Sequence, residues 1–284
     1  MISIDEKRVY GDREGALAAY VASAVGVVRV RVSDENVGEF GLVERCEARD
    51  VAAGVDAVAV ATDEDVLAAD RAGDDDPAFE PTGFGPATAV GFHDGAVLAA
   101  SADGRVARFD GDGWDNLAAD PDLTVRAIDG DLVATAAGVY RVRDGGLDHA
   151  GLSDATDVSA AGVPLAATGD GLYRLGNGWM AVREGAFDLV AAEPLAEPGR
   201  LARAHAVAGG DWYRHADGAW RETSAPADGV AGVSYGESAT YAVAEDGTFA
   251  ARSDVDAGER EWRSHPLGVR SVTALAVPTA RVEA

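Results

Sequence analysis

A strand, a tight turn containing glycine or aspartate, and a second strand recur along the chain at intervals of 33–40 residues. Few arrangements other than a stack or ring of like sheets accommodate such a repeat. The plainest copies are Val-Ala-Thr-Ala-Ala-Gly-Val-Tyr-Arg at 133–141 and Ala-Ala-Thr-Gly-Asp-Gly-Leu-Tyr-Arg at 166–174, centred on Gly138 and Gly171. Weaker copies centre on Gly26, Asp65, Gly104, Asp211 and Gly247, which makes seven units. Their length matches a four-stranded blade, so the spacing predicts an all-β, seven-bladed propeller with antiparallel blades.

The remaining strands follow from composition. Before each hairpin after the first lies a short run rich in small residues: 51–54, 87–91, 125–128, 158–161, 189–192 and 230–233. Alanine and glycine suit an innermost strand, because seven such strands converge on a narrow channel. A seventh run, 272–277, follows the last hairpin, whereas the first hairpin, 20–32, has no inner strand before it. The two complete one blade, so residues 1–284 form one domain whose C-terminal strand, about 271–278, closes the N-terminal blade. Outer strands begin at turns that end in tryptophan, as at Trp114, Trp179, Trp220 and, more loosely, Trp262. These indoles are placed to cover gaps between blades. The segment 71–86, with Asp74, Asp75 and Asp76, reads as an acidic surface loop of the second blade.

Charge narrows the environment. There are 49 acidic against 24 basic residues, a formal net charge of -25, and a 47% hydrophobic fraction that argues against disorder. Lys7 is the only lysine beside 23 arginines, and aspartates outnumber glutamates by 32 to 17. Such a surface repels itself in dilute buffer and is tolerated where molar salt shortens the screening length to roughly 3 Å. That profile is expected of a halophile. A basic cluster for nucleic acid is missing from the sequence, as is a run of about 18 apolar residues for a membrane. Residues 1–15 resemble neither a secretory nor a twin-arginine leader, so the expected location is the cytoplasm. Cys46 is alone, which excludes an intramolecular disulfide.

Few residues suggest chemistry. Asp50, Asp157 and Asp188 each directly precede the first apolar residue of an inner strand, and Asp228 lies one residue further from Val230. At a channel mouth, four such carboxylates would hold a hard cation such as calcium or magnesium; ordinary hydrated aspartates of blade connections are the competing reading. His93, His149, His205, His215 and His265 are scattered without metal spacing, and most are expected at the surface. The pairs Tyr140-Arg141, Tyr173-Arg174 and Tyr213-Arg214 recur at a fixed place in the repeat and read as strand residues. Neither a phosphate-binding glycine loop nor a Gly-x-Ser-x-Gly elbow is present.

Turns such as Asp110-Gly111-Asp112-Gly113-Trp114 resemble the Asp-box of sialidase-like propellers, a structural hairpin remote from that family's active site. The longer pattern is complete nowhere in the chain. From Ile2-Ser3-Ile4-Asp5-Glu6-Lys7-Arg8-Val9-Tyr10-Gly11 through the seven repeats, the chain resembles a family of haloarchaeal β-propeller proteins with WD40-like and Asp-box-like repeats. That resemblance implies the fold and a salt-loving source, and it carries no catalytic residue across. Two functions remain open. One is a non-enzymatic, monomeric cytoplasmic scaffold for a protein partner. The alternative is an enzyme or ligand-binding propeller of sialidase, lactonase or lyase kind, using the channel mouth with or without a divalent cation.

Overall fold

The computed structural model describes residues 17–70, 77–254 and 261–278, and in them seven four-stranded antiparallel sheets form a ring. Residues 1–15, with the opening decapeptide, and Asp74 to Asp76 lie outside the described residues. Numbered from the N-terminus, blades 2 to 7 each run from the axis outward in chain order. Their inner strands are Ala48–Ala53, Ala89–His93, Val125–Asp129, Ala155–Ser159, Leu189–Ala192 and Val230–Tyr235. Blade 1 takes its inner strand, Val272–Ala276, from the far end of the chain and its other three from Leu17–Ser23, Gly26–Ser33 and Asn36–Glu44. Tyr20 pairs with Ala276 and Ser23 with Val272, which seals the ring as the repeat predicts. No helix long and apolar enough to cross a membrane occurs among the described residues.

The turns explain why these sequences fold as hairpins. Asp144-Gly145 and Asp217-Gly218 both adopt positive φ, 47° and 79° in the first pair and 52° and 74° in the second. This is the left-handed geometry whose twist matches flanking strands, and Asp and Gly adopt it at least cost. Gly104 is required for a second reason: at φ 78° a Cβ there would lie 1.7 Å from the Asp120 carbonyl oxygen.

The core is not central. Buried apolar residues fall into seven clusters, one in each seam between neighbouring blades, as in the seam of blades 7 and 1, where Tyr241 and Phe249 meet Val21, Val28 and Val30. Two indoles bind across seams by one rule. Trp114 Nε1 of blade 3 donates to the Thr82 carbonyl of blade 2, and Trp179 Nε1 of blade 5 donates to the Ala150 carbonyl of blade 4. The expected loop at 71–86 is therefore only partly a loop. Glu80–Pro81 is the short outer strand of blade 2, where an edge position tolerates proline. Phe84 is buried against Trp114 with the Arg105 guanidinium over its ring.

Candidate axial binding site

The inner strands enclose an axial cavity of about 590 Å³. Alternation along each strand sends Val51, Ile128, Val158, Val190 and Val233 into the seam with the preceding blade and intervening residues such as Ala52, Ala127, Ala191 and Ala231 toward the seam with the following one, and both sets border the channel. One end of the cavity is polar, ringed by Arg49, Thr88, Arg126, Thr156 and Thr273; the other is apolar, formed by Ala53, Phe92, Ala161, Pro194 and Val277. Asp50, Asp129 and Asp157 stand between them.

Inner strands of adjacent blades splay too far apart to form a ladder, so their axis-facing amides need other acceptors. Side chains one blade back supply them. Asp50 Oδ2 accepts from Val90 N at 2.9 Å, Asp157 Oδ2 from Val190 N at 2.8 Å, and Asp129 Oδ2 from Ala160 N at 2.8 Å. Ser159 and Ser234 do the same for Ala192 N and Val277 N. The other oxygens of Asp50 and Asp157 accept from the next amide of their own strands, at Val51 and Val158.

These carboxyls have no cationic partner among the described residues. The two guanidinium groups at the polar mouth turn outward, Arg49 to Glu47 and Arg126 to Asp154 and the Ala155 carbonyl. Protein surrounds Asp50 and Asp157 except toward the channel, and this burial lifts both from an ordinary value of 3.8 to about 7, against the lowering effect of their amide hydrogen bonds. Asp129 is raised as well, first by burial and further by Asp131; Asp129 and Asp50 in turn raise Asp157.

Between pH 3.8 and about 7, the folded chain keeps protons on Asp50 and Asp157 that the unfolded chain has released. Unfolding then releases protons, and stability falls as pH rises across that window, by about 1.4 kcal/mol per pH unit for each proton fully held. Asp50→Asn with Asp157→Asn removes this titration. Denaturant midpoints measured between pH 4 and 8 are therefore expected to slope downward more steeply in the native protein than in the double variant. Equal slopes would show that both carboxyls ionise normally in the fold.

The structure divides the four aspartates singled out in the sequence. Asp50 and Asp157 occupy one level of the channel, in blades 2 and 5. Asp188 lies at the polar mouth and accepts from Gly209 N at 2.7 Å, so it braces a turn of its own blade. Asp228 is exposed and does not line the cavity. Among the described residues, no three His, Cys, Asp or Glu side chains are grouped to hold one metal ion. Asp129 escapes a sequence reading because it follows its apolar run instead of preceding it.

The Tyr-Arg pairs lie on the third strands of blades 4, 5 and 6. His149 and His265 are exposed and His93 and His215 half-buried, but His205 is 1% exposed. Its Nδ1 lies 2.9 Å from the Tyr235 hydroxyl, which donates to the Ala191 carbonyl, and its Nε2 lies 3.3 Å from Arg252 Nη2. Because Arg252 can only donate and Tyr235 has already donated, His205 is neutral with its proton on Nδ1. Burial, then Arg252, Arg214 and Arg203, hold it well below the usual imidazole range. Burial and the carboxylates Glu44 and Asp63 raise the Cys46 thiol to about 11, which makes it a poor nucleophile.

No curated relative matches the chain. Several solved structures share its architecture at low identity, which establishes the fold alone. Apo AztD from Citrobacter koseri superposes with a TM-score of 0.58 at 11% identity, over 89% of this chain and 82% of that one. The WD40 β-propeller domain of Doa1 gives 0.55 at 14%, over 87% of each chain. The computationally designed Ika8 protein gives 0.55 at 14%, over 92% and 91%. A family model spans the ring from blade 1 to its closing strand: residues 3–278 match the HVO_0234-like β-propeller, and the chain belongs to that family.

Proposed function

We propose that this propeller is a non-enzymatic binding protein that takes a small cationic ligand into its axial cavity. The observation that carries the reading is an axial space of about 590 Å³ in which Asp50, Asp129 and Asp157 meet no cation of the described residues. A volume of this size, with an apolar wall and a few convergent polar groups, suits a small molecule. Hydroxyls of the cavity are committed to the scaffold: Thr88, Thr156 and Thr273 donate to backbone carbonyls, while Ser159 and Ser234 accept from amides. That commitment favours holding a ligand over attacking one.

A scaffold for a protein partner, the other role a propeller suggests, would present a contiguous apolar patch. The large exposed apolar side chains Val25, Leu42, Val55, Met180 and Leu195 instead lie dispersed over blades 1, 2, 5 and 6. The acidic, lysine-poor surface supports a molar-salt cytoplasm as the working medium. Screening there weakens surface attractions more than those of partly buried groups inside the channel, which also favours the cavity.

Calorimetric titration with calcium, with magnesium and with primary ammonium compounds in high-salt buffer tests the reading. A saturable heat with one class is expected, with proton release near pH 7 as Asp50 and Asp157 ionise around the cation, and with loss of binding in Asp50→Asn/Asp157→Asn. Absence of heat and of thermal stabilisation with every cation would defeat it.

A further inference from the structure

The seam between blades 6 and 7 contains a set of buried donors that the axial site does not use. Trp212 is 1% exposed, yet its indole Nε1 has no hydrogen-bond partner among the described residues. The Nε1 of Trp262 and the Oγ1 of Thr223 are buried in the same condition. These atoms belong to one place. Trp212 and Thr223 are directly opposite each other on neighbouring strands of blade 6, so their side chains share a face. Trp262, on the blade 7 side, meets Trp212 edge-on with ring centroids 5.8 Å apart.

An indole N–H donates and cannot accept, and leaving such a group unpaired in the interior costs about 1–3 kcal/mol. The local charge favours a negative acceptor. The Arg252 guanidinium lies 4.5 Å over the Trp262 ring and reaches His205, which packs on Trp212 at 4.8 Å. Arg214 has no ion-pair partner among the described residues, and together with Arg203 and Arg252 it keeps His205 in a positive field. Arg203 pairs with Glu193 and Asp254, and Arg252 with Asp254, so the three arginines outnumber the two carboxylates they meet by one, a local excess of cation in a chain of net charge -25.

We propose that this seam binds a halide-sized anion, chloride in physiological salt, between the indole N–H groups of Trp212 and Trp262 and the Thr223 hydroxyl. Water is a poorer occupant, because the Thr223 hydroxyl can accept only one of its two protons and the indole N–H groups can accept neither. The site is separate from the axial cavity and stands whether or not that cavity takes a cation.

Crystals of the full chain with bromide in place of chloride decide the matter. An anomalous difference peak within hydrogen-bonding distance of Trp212 Nε1 and Thr223 Oγ1 is expected, and its height should fall at least severalfold in Thr223→Val. Density without anomalous signal would identify an ordered water and overturn the proposal. So would an indole N–H resting on the ring face of the other tryptophan with nothing between them. An undiminished peak in Thr223→Val would remove the anion from this donor set and overturn it equally.

Discussion

Deleting residues 271–284 is expected to abolish the single cooperative unfolding transition, leaving a chain that melts broadly or aggregates. The removed segment holds the inner strand of blade 1 and the residue after it, and Val272, Leu275, Ala276 and Val277 are all buried. Burial of each of the three larger side chains contributes roughly 1.5–3 kcal/mol. A whole domain is stable by only about 5–15 kcal/mol. The loss also spreads beyond one strand. Leu275 and Val272 fill the seam with blade 7, Ala276 fills the seam with blade 2, and Thr273 Oγ1 donates to the Ala48 carbonyl across that second seam. Without this strand, blade 1 exposes the edge of Leu17–Ser23, and two of the seven seams open to water. Calorimetry or denaturant unfolding followed by tryptophan fluorescence measures the outcome. A truncated protein melting in one transition near that of the intact chain would mean that the ring is held elsewhere.

The features legible in the sequence are those set within about forty residues. Hairpin turns and small inner strands follow from local pattern, since a Gly or Asp hinge and an alanine-rich run carry their reasons in their own side chains, and the exchange of the terminal strand, which pairs Tyr20 with Ala276, follows from counting those units. The outer strand at Glu80–Pro81 was not legible, because two edge residues beside proline leave no periodic trace. Phe84 was hidden for a related reason: its burial depends on Trp114, thirty residues away in the next blade. In the axial site, sequence position singled out Asp50 and Asp157 but could not separate them from Asp188 and Asp228. The distinction lies in whether a carboxylate reaches the amide of the following blade, which only the closed ring determines. His205 looks like any other histidine in the chain until Tyr235 and Arg252, 30 and 47 residues further on, are folded against it.

Replacing Arg203 by alanine is expected to cost about 3–5 kcal/mol, the range for removing one member of a buried, hydrogen-bonded ion pair. Arg203 leaves blade 6 and enters blade 7 as a clasp. Its Nη1 donates to Asp254 Oδ2 at 2.9 Å, and its Nη2 donates to Glu193 Oε1 at 2.5 Å and to the carbonyls of Gly236 and Glu237 at 2.7 and 3.2 Å. Burial opposes the charge on Arg203, but the hydrogen bonds and fields of Glu193 and Asp254 outweigh it and raise its affinity for the proton. The alanine variant strands both carboxylates; the Asp254 side chain is only 8% exposed. It also withdraws the guanidinium that lies 5.5 Å from the Tyr235 ring, loosening the residue that joins His205 to the cavity wall. Lysine should restore little of the loss, because an ammonium group has three donors on one atom and cannot span acceptors in both blades. Denaturant midpoints of Arg203→Ala, Arg203→Lys, Asp254→Ala and Arg203→Ala/Asp254→Ala measure the coupling. If the clasp joins the blades through this ion pair, the double variant is less destabilised than the sum of its single changes, and Arg203→Ala that loses under about 1 kcal/mol would instead place the arginine among surface ion pairs of little consequence.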